Sequence, residues 1–316
     1  MLFPFLLAAT VMLADCADKL PACSKRVYCN SELLQLVQLK RVYEDPRGFI
    51  DFRMNYDENK TLSDFGKLLN SNNNDLSKDK LKEFVDKYFS TDNGLEKWMP
   101  PDFNSDPEFL NVIEDKNLRD FARSIHYLWP DSAVIVKDDV VQNSDRYRLI
   151  PVTHGFFTPG GLFTEMYYWD SYWIVKGLLV SGMQESAKGV IENLFELVDK
   201  LGYVPAGNRW YYERHSQPPL LTEMVATYYS HTNDIEFIRN NIEYLETEIN
   251  FWSTERSFNI TKDGKNYTVL RYFVPGDRPR PYSYYFDSEL IEDSSEQDRI
   301  EILNGIWSAF ESGWDF

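Results

Sequence analysis

Pro159-Gly160-Gly161-Leu162-Phe163-Thr164-Glu165-Met166-Tyr167-Tyr168-Trp169-Asp170-Ser171-Tyr172-Trp173 is the stretch that decides the reading of this chain. It places glycines, aromatic rings and carboxylates on a loop that opens into a helix. At helical spacing Glu165, Trp169 and Trp173 share one face, and Phe163, Tyr167 and Asp170 an adjoining one, so rings and a carboxylate would point into a common cleft. Rings give flat apolar platforms to the C–H face of a sugar, and carboxylates accept its hydroxyl hydrogens. The stretch therefore predicts a carbohydrate site. The same spacing also describes an amphipathic core helix behind a Pro-Gly-Gly turn, and the segments downstream weigh between the two.

Outward from this stretch, helical periodicity dominates. Residues 31–43, 62–69, 76–89, 106–128, 168–183, 185–202, 219–231, 235–252 and 299–310 read as amphipathic or buried helices. Residues 147–151 and 267–273 have the β-branched and aromatic content of strands, and the Asn-rich 70–77 reads as a surface loop. Helix pairs joined by loops predict an all-α chain of stacked hairpins, but helix count alone does not separate a barrel from a solenoid. No domain-scale linker interrupts the chain, which is expected to form one domain from residue 17 to residue 316.

A formal charge of −17 with no block of Lys and Arg argues against nucleic acid or anionic membrane as partners. The apolar run 2–13 followed by Ala14-Asp15-Cys16 predicts a leader cleaved after residue 16; a buried N-terminal helix or a lipoprotein signal are the alternatives. No other run approaches the roughly 18 apolar residues of a membrane span. With Cys16 removed, Cys23 and Cys29 are an even pair suited to a disulfide in an oxidising compartment. A metal site is the weaker alternative, because His126, His154, His215 and His231 show no ligand spacing. Asn59, Asn259 and Asn266 each head an Asn-x-Thr sequon, which with the leader predicts a glycosylated, secreted protein.

Three further segments carry chemistry. Val204-Pro205-Ala206-Gly207-Asn208-Arg209-Trp210-Tyr211-Tyr212-Glu213-Arg214-His215-Ser216-Gln217-Pro218-Pro219 joins a glycine turn, paired tyrosines and Ser-Gln-Pro-Pro. Pro275-Gly276-Asp277-Arg278-Pro279-Arg280-Pro281-Tyr282-Ser283-Tyr284 is an arginine-rich loop, and the chain closes on Glu311-Ser312-Gly313-Trp314-Asp315-Phe316. In this order, with the opening stretch, they resemble the motifs of the trehalases, inverting glycoside hydrolases that split α,α-trehalose into two glucoses. The resemblance runs from about Cys23 to Phe316, and the cysteine pair is itself similar to one in animal secreted trehalases.

The resemblance implies a six-hairpin (α/α) toroid and an acid/base mechanism that needs no cofactor or metal. It places the general acid on Asp315, with Trp314 shielding it, and assigns glucose to Trp169, Asp170, Ser216, Gln217, Arg280 and Gly313. Four positions depart: where the family has Arg, Asn, Arg and Glu, this chain has Leu162, Ala206, His215 and Tyr282. A charge-assisted hydrogen bond is worth roughly 1.5–3 kcal/mol, so these losses would cost on the order of 5 kcal/mol, about three to four decades in rate. His215 as a hydrogen-bond donor and Tyr282 as a stacking ring would shift specificity instead. The family's base, a Glu, lies beyond the acid motif, so the toroid is expected to be incomplete at its C-terminus. Glu165 and Asp170 are the local acids, matching positions with other roles. Trehalose hydrolysis and a non-catalytic sugar-binding or scaffold role are therefore both carried forward.

Overall fold

The computed structural model describes residues 23–161 and 163–314, so the expected leader, Leu162 and the expected acid Asp315 lie outside the described residues. The chain is mostly helical, with three small antiparallel sheets. Helix Gln184–Leu201 is the centre of one half. Its Ala187, Val190, Ile191, Leu194, Leu197 and Val198 are buried, and it packs on helices Tyr168–Val180, Leu221–Thr232 and Ile235–Glu255. These are two antiparallel hairpins, the second turned by Asn233 in a left-handed conformation before Asp234 caps the Phe237 amide.

The other half gathers helices Glu32–Leu39, Glu58–Asn70 and Lys78–Tyr88 around Leu33, Phe49, Phe65 and Val85. Ser31, Asp57 and Ser77 cap these helices, each accepting from the amide three residues on; the start expected at Ser31 holds, while those expected at 62 and 76 move to Glu58 and Lys78. The last helix, Glu296–Glu311, returns from the far end of the sequence and buries Trp307 in the same cluster, its indole N–H donating to the Arg278 carbonyl at 2.8 Å. The Cys23–Cys29 disulfide forms, with Cα atoms 5.6 Å apart, and pins the start of this half.

Three expectations change. The helix predicted over 106–128 is broken, because Asp115 caps the Leu118 amide and starts Lys116–His126 afresh after a 3₁₀ turn at Glu108–Val112. Residues 147–151 form no strand; Leu149 makes only an isolated bridge to Arg209. The strand predicted over 267–273 is Lys265–Leu270, and its partner Ser257–Lys262 lies just upstream, joined through Asp263-Gly264, both at positive φ as a two-residue hairpin turn requires. Asn259 and Asn266 are exposed on this hairpin, and Asn59 is exposed at the start of its helix. Among the described residues no helix is long and apolar enough to cross a membrane, and no cluster of three potential metal ligands occurs.

Candidate active site

The glycine turn of the opening stretch needs its glycines: Gly160 and Gly161 sit at φ +102° and +63°, and the Phe163 amide closes the turn on the Gly160 carbonyl at 3.2 Å. The helix begins only at Tyr168. Trp169 and Trp173, four residues apart, do share an exposed face, but Glu165, Phe163 and Tyr167 precede the helix and do not follow its periodicity. Glu165 instead turns inward and is fully buried. Backbone stitching holds this segment to the second motif, with Tyr168 N–H on the Ala206 carbonyl at 2.9 Å and Asn208 N–H on the Met166 carbonyl at 3.0 Å.

Beneath the turn lies a cluster of charges. Glu165 accepts from Arg47 at 2.7 Å and from the Tyr167 hydroxyl at 2.5 Å, and pairs with Arg209 at 2.6 Å. Asp51 pairs with Arg209 and, at 3.3 Å, with Arg148. Burial alone would raise the Asp51 carboxyl, but Arg209, Arg148 and Arg47 together hold it below the usual carboxylate range. Glu165 is thus engaged by two guanidiniums and a tyrosine hydroxyl.

The second cluster joins the other motifs. The helix Glu296–Glu311 ends in a Schellman arrangement: the Gly313 amide donates to Phe310 O at 3.0 Å and Trp314 N to Ala309 O at 3.2 Å. Gly313 is the left-handed residue this ending demands, at φ +74°. A Cβ there would meet Pro218 at 3.2 Å and the Trp169 ring at 3.5 Å, so three motifs converge on this glycine. Gln217, itself at φ +70°, donates its side-chain amide to the Phe310 carbonyl at 3.4 Å. The Glu311 carboxylate accepts the backbone amides of Ser216 at 2.7 Å and Gln217 at 3.3 Å, and Nε of Arg256 at 2.8 Å. Burial raises the Glu311 carboxyl, but His215 and Arg256 outweigh it and keep it below its ordinary value. Ser216 Oγ and Gln217 Oε1 are buried with no hydrogen-bond partner among the described residues.

Of the altered positions, Ala206, His215 and Tyr282 sit in the walls of this corner. Ala206 is buried, its amide on the His215 carbonyl at 2.7 Å. His215 is fully buried, stacked on Trp307 with centroids 4.7 Å apart, and burial pushes its pKa down. Tyr282 is half-buried against Tyr212 and Phe310. Arg280 is clamped by the buried Asp287, donating from its backbone N, Nε and Nη2 at 2.8, 2.9 and 2.7 Å. Asp170 is half-buried, and burial, with Glu165 nearby, raises its carboxyl. Trp314 is 72% exposed.

Several residues that build these clusters were not singled out from the sequence. Glu311 and Arg209 lay inside quoted motifs, unmarked because the roles there fell to neighbours. Arg47, Asp51, Arg148, Arg256 and Asp287 carry no local signal; only the packing brings them in.

The Trehalase family profile matches residues 41–316. The chain is 47% identical to a trehalase of Bombyx mori over all of its own length and 54% of the relative's, and 42% identical to a trehalase of Tenebrio molitor over 100% and 58%. Among solved structures, neutral trehalase Nth1 of Saccharomyces cerevisiae matches with a TM-score of 0.41 and 24% identity, over 51% of this chain and 34% of that one. The chain thus spans about half the length of the curated relatives it matches. With four motifs in order, three of them meeting at Gly313, and a family match over most of its residues, the chain belongs to the trehalase family.

Proposed function

We propose that the corner formed by Trp169, Asp170, Ser216, Gln217 and Gly313 holds a glucosyl unit of α,α-trehalose, with Arg280 contributing from the loop that Asp287 fixes. The observation that carries this reading is the pair of unpartnered buried atoms, Ser216 Oγ and Gln217 Oε1, beside a glutamine held at positive φ. Buried polar groups are nearly always hydrogen-bonded, and strained backbone concentrates where ligands are held, so a polyhydroxylated ligand fits both facts. Trp169 and Trp173 supply exposed apolar platforms at its rim.

Hydrolysis with inversion requires an acid at the glycosidic oxygen and a base for water on the opposite face. The acid is Asp315 and the base a glutamate beyond it, as in the family pattern. Glu165 offers no replacement, since it is engaged with Arg47 and Arg209. The larger frame belongs to the same proposal: a cleaved leader at 1–16, a secreted and glycosylated product, and a 17–316 region belonging to a six-hairpin toroid. A second reading, sugar binding without cleavage, is favoured by His215 and Tyr282, which pack into aromatic walls where the family has charged contacts.

Titration calorimetry of trehalose and glucose into the 316-residue chain tests the site. Binding that Trp169→Ala and Gln217→Ala each weaken about tenfold supports it; absence of binding to either sugar overturns it. Glucose release is expected to be nil from this chain alone, and release abolished by Asp315→Asn would overturn that expectation.

A further inference from the structure

We propose that Glu311 is a positioning residue, whose carboxylate sets the sugar-facing Ser216–Gln217 turn in register with the segment that carries Asp315. The proposal rests on the sugar-site reading above and extends it to a residue with no assigned role.

Glu311 is fully buried at the end of its helix, and its two oxygens are divided between two tasks. Oε2 takes the successive backbone amides of Ser216 and Gln217, at 2.7 and 3.3 Å, while Oε1 takes Arg256 Nε at 2.8 Å. Successive amides converging on one anion form a nest, a concavity that arises when a left-handed residue lies beside a differently folded one. Gln217 at φ +70° is that left-handed residue, and unlike glycine it does not take this conformation freely. The anion that stabilises the nest is thus part of this chain, in place of a ligand.

The consequence is geometric. Once the backbone is held by Glu311, the Gln217 side chain reaches the Phe310 carbonyl through its nitrogen, and its oxygen is left over. Gly313 and the segment leading to Asp315 continue from the same helix end, only two and four residues past Glu311. Arg256, whose Nη2 also donates to the Arg214 carbonyl at 3.2 Å, braces the carboxylate from the side. His215 Nδ1 lies 3.7 Å from Oε2, so the residue standing where the family has an arginine faces this carboxylate.

The test compares the full chain with its Glu311→Gln variant, in which an amide nitrogen faces one of these donors. Backbone hydrogen exchange at Ser216 and Gln217 is expected to accelerate at least about tenfold, while amides of helix Gln184–Leu201 stay within about twofold. The trehalose dissociation constant is expected to rise about tenfold while helix Gln184–Leu201 keeps its exchange protection, a combination that general loosening would not give. Equal exchange at the two amides in both proteins overturns the proposal. So does rapid exchange of these amides in the wild type, a measurement that holds even if the variant fails to fold. If the wild type binds no sugar while Glu311→Gln still releases the two amides, the sugar-site reading fails and the positioning role stands.

Discussion

Two buried polar clusters share a wall at Tyr212, whose hydroxyl lies 3.1 Å from that of Tyr167 on one side and whose ring stacks on Phe310 on the other. In the arginine cluster, charges meet charges: Arg47, Arg148 and Arg209 face Asp51 and Glu165. In the Glu311 corner, a carboxylate is largely met by backbone amides, and neutral side-chain atoms are left unmatched. The first arrangement ties the glycine turn to the body of the protein. The second lies beside an exposed tryptophan; both leave buried side-chain atoms without a hydrogen-bond partner among the described residues, Arg148 Nη1 and Arg209 Nε in the first, Ser216 Oγ and Gln217 Oε1 in the second.

The sharpest way to break the comparison is to remove a charge from the scaffold side. Arg209→Met leaves the buried Glu165 and the half-buried Asp51 short of a partner and is expected to lower unfolding free energy by about 3–5 kcal/mol in denaturant titration. A loss below about 1 kcal/mol would show that the cluster is not what holds the turn.

Glu248 offers an intermediate case, a buried carboxylate that accepts from the Tyr168 hydroxyl. Burial pushes it up to about 7, with the Tyr168 hydrogen bond only partly opposing. Its folded pKa therefore exceeds its unfolded value, the native state binds the extra proton, and stability falls as pH rises from about 4.5 to about 7. Glu248→Gln is expected to remove this slope, matching wild type near pH 4 and exceeding it by on the order of 3 kcal/mol at pH 8 in thermal or chemical unfolding. An unchanged slope would place the titration elsewhere. The Tyr168 hydroxyl also accepts the Leu220 and Leu221 amides at 2.9 Å, which ties this carboxylate to the loop after Gln217.

On the site side the effects are smaller and separable. Gly313→Ala places a Cβ at φ +74° and is expected to cost about 1–2 kcal/mol, read by unfolding, with sugar binding weakened as the Trp169 ring shifts. Gln217→Gly relieves its own positive φ and is expected to leave stability level or raise it by up to about 1 kcal/mol, while calorimetry shows trehalose binding reduced about tenfold. Stability and binding falling together in Gln217→Gly would assign the residue to the scaffold.

Much of this was legible in the residue order. The helical class, the hairpin Gln184–Leu201 against Tyr168–Val180 and the cysteine pair follow from periodicity and composition. Helix starts were misplaced where Asp57 and Ser77, rather than apolar spacing, define them. The hairpin turn at Asp263-Gly264 was not read from the sequence, and neither of its strands has a buried face to reveal the pairing. The motifs named Trp169, Gln217 and Gly313, which the fold brings close to one another, but not that Glu165 turns inward to Arg47 and Arg209.

The sequence by itself determined the family and the helical class, because motif order and hydrophobic period are local, one-dimensional properties. Only the tertiary structure decided which carboxylate does what. Glu165 and Glu311 sit in equally polar motifs, yet one meets guanidiniums from Arg47 and Arg209 and the other the amides of Ser216 and Gln217. An anion's role depends on the donors within about 3 Å of it, and those come from segments far apart in the chain.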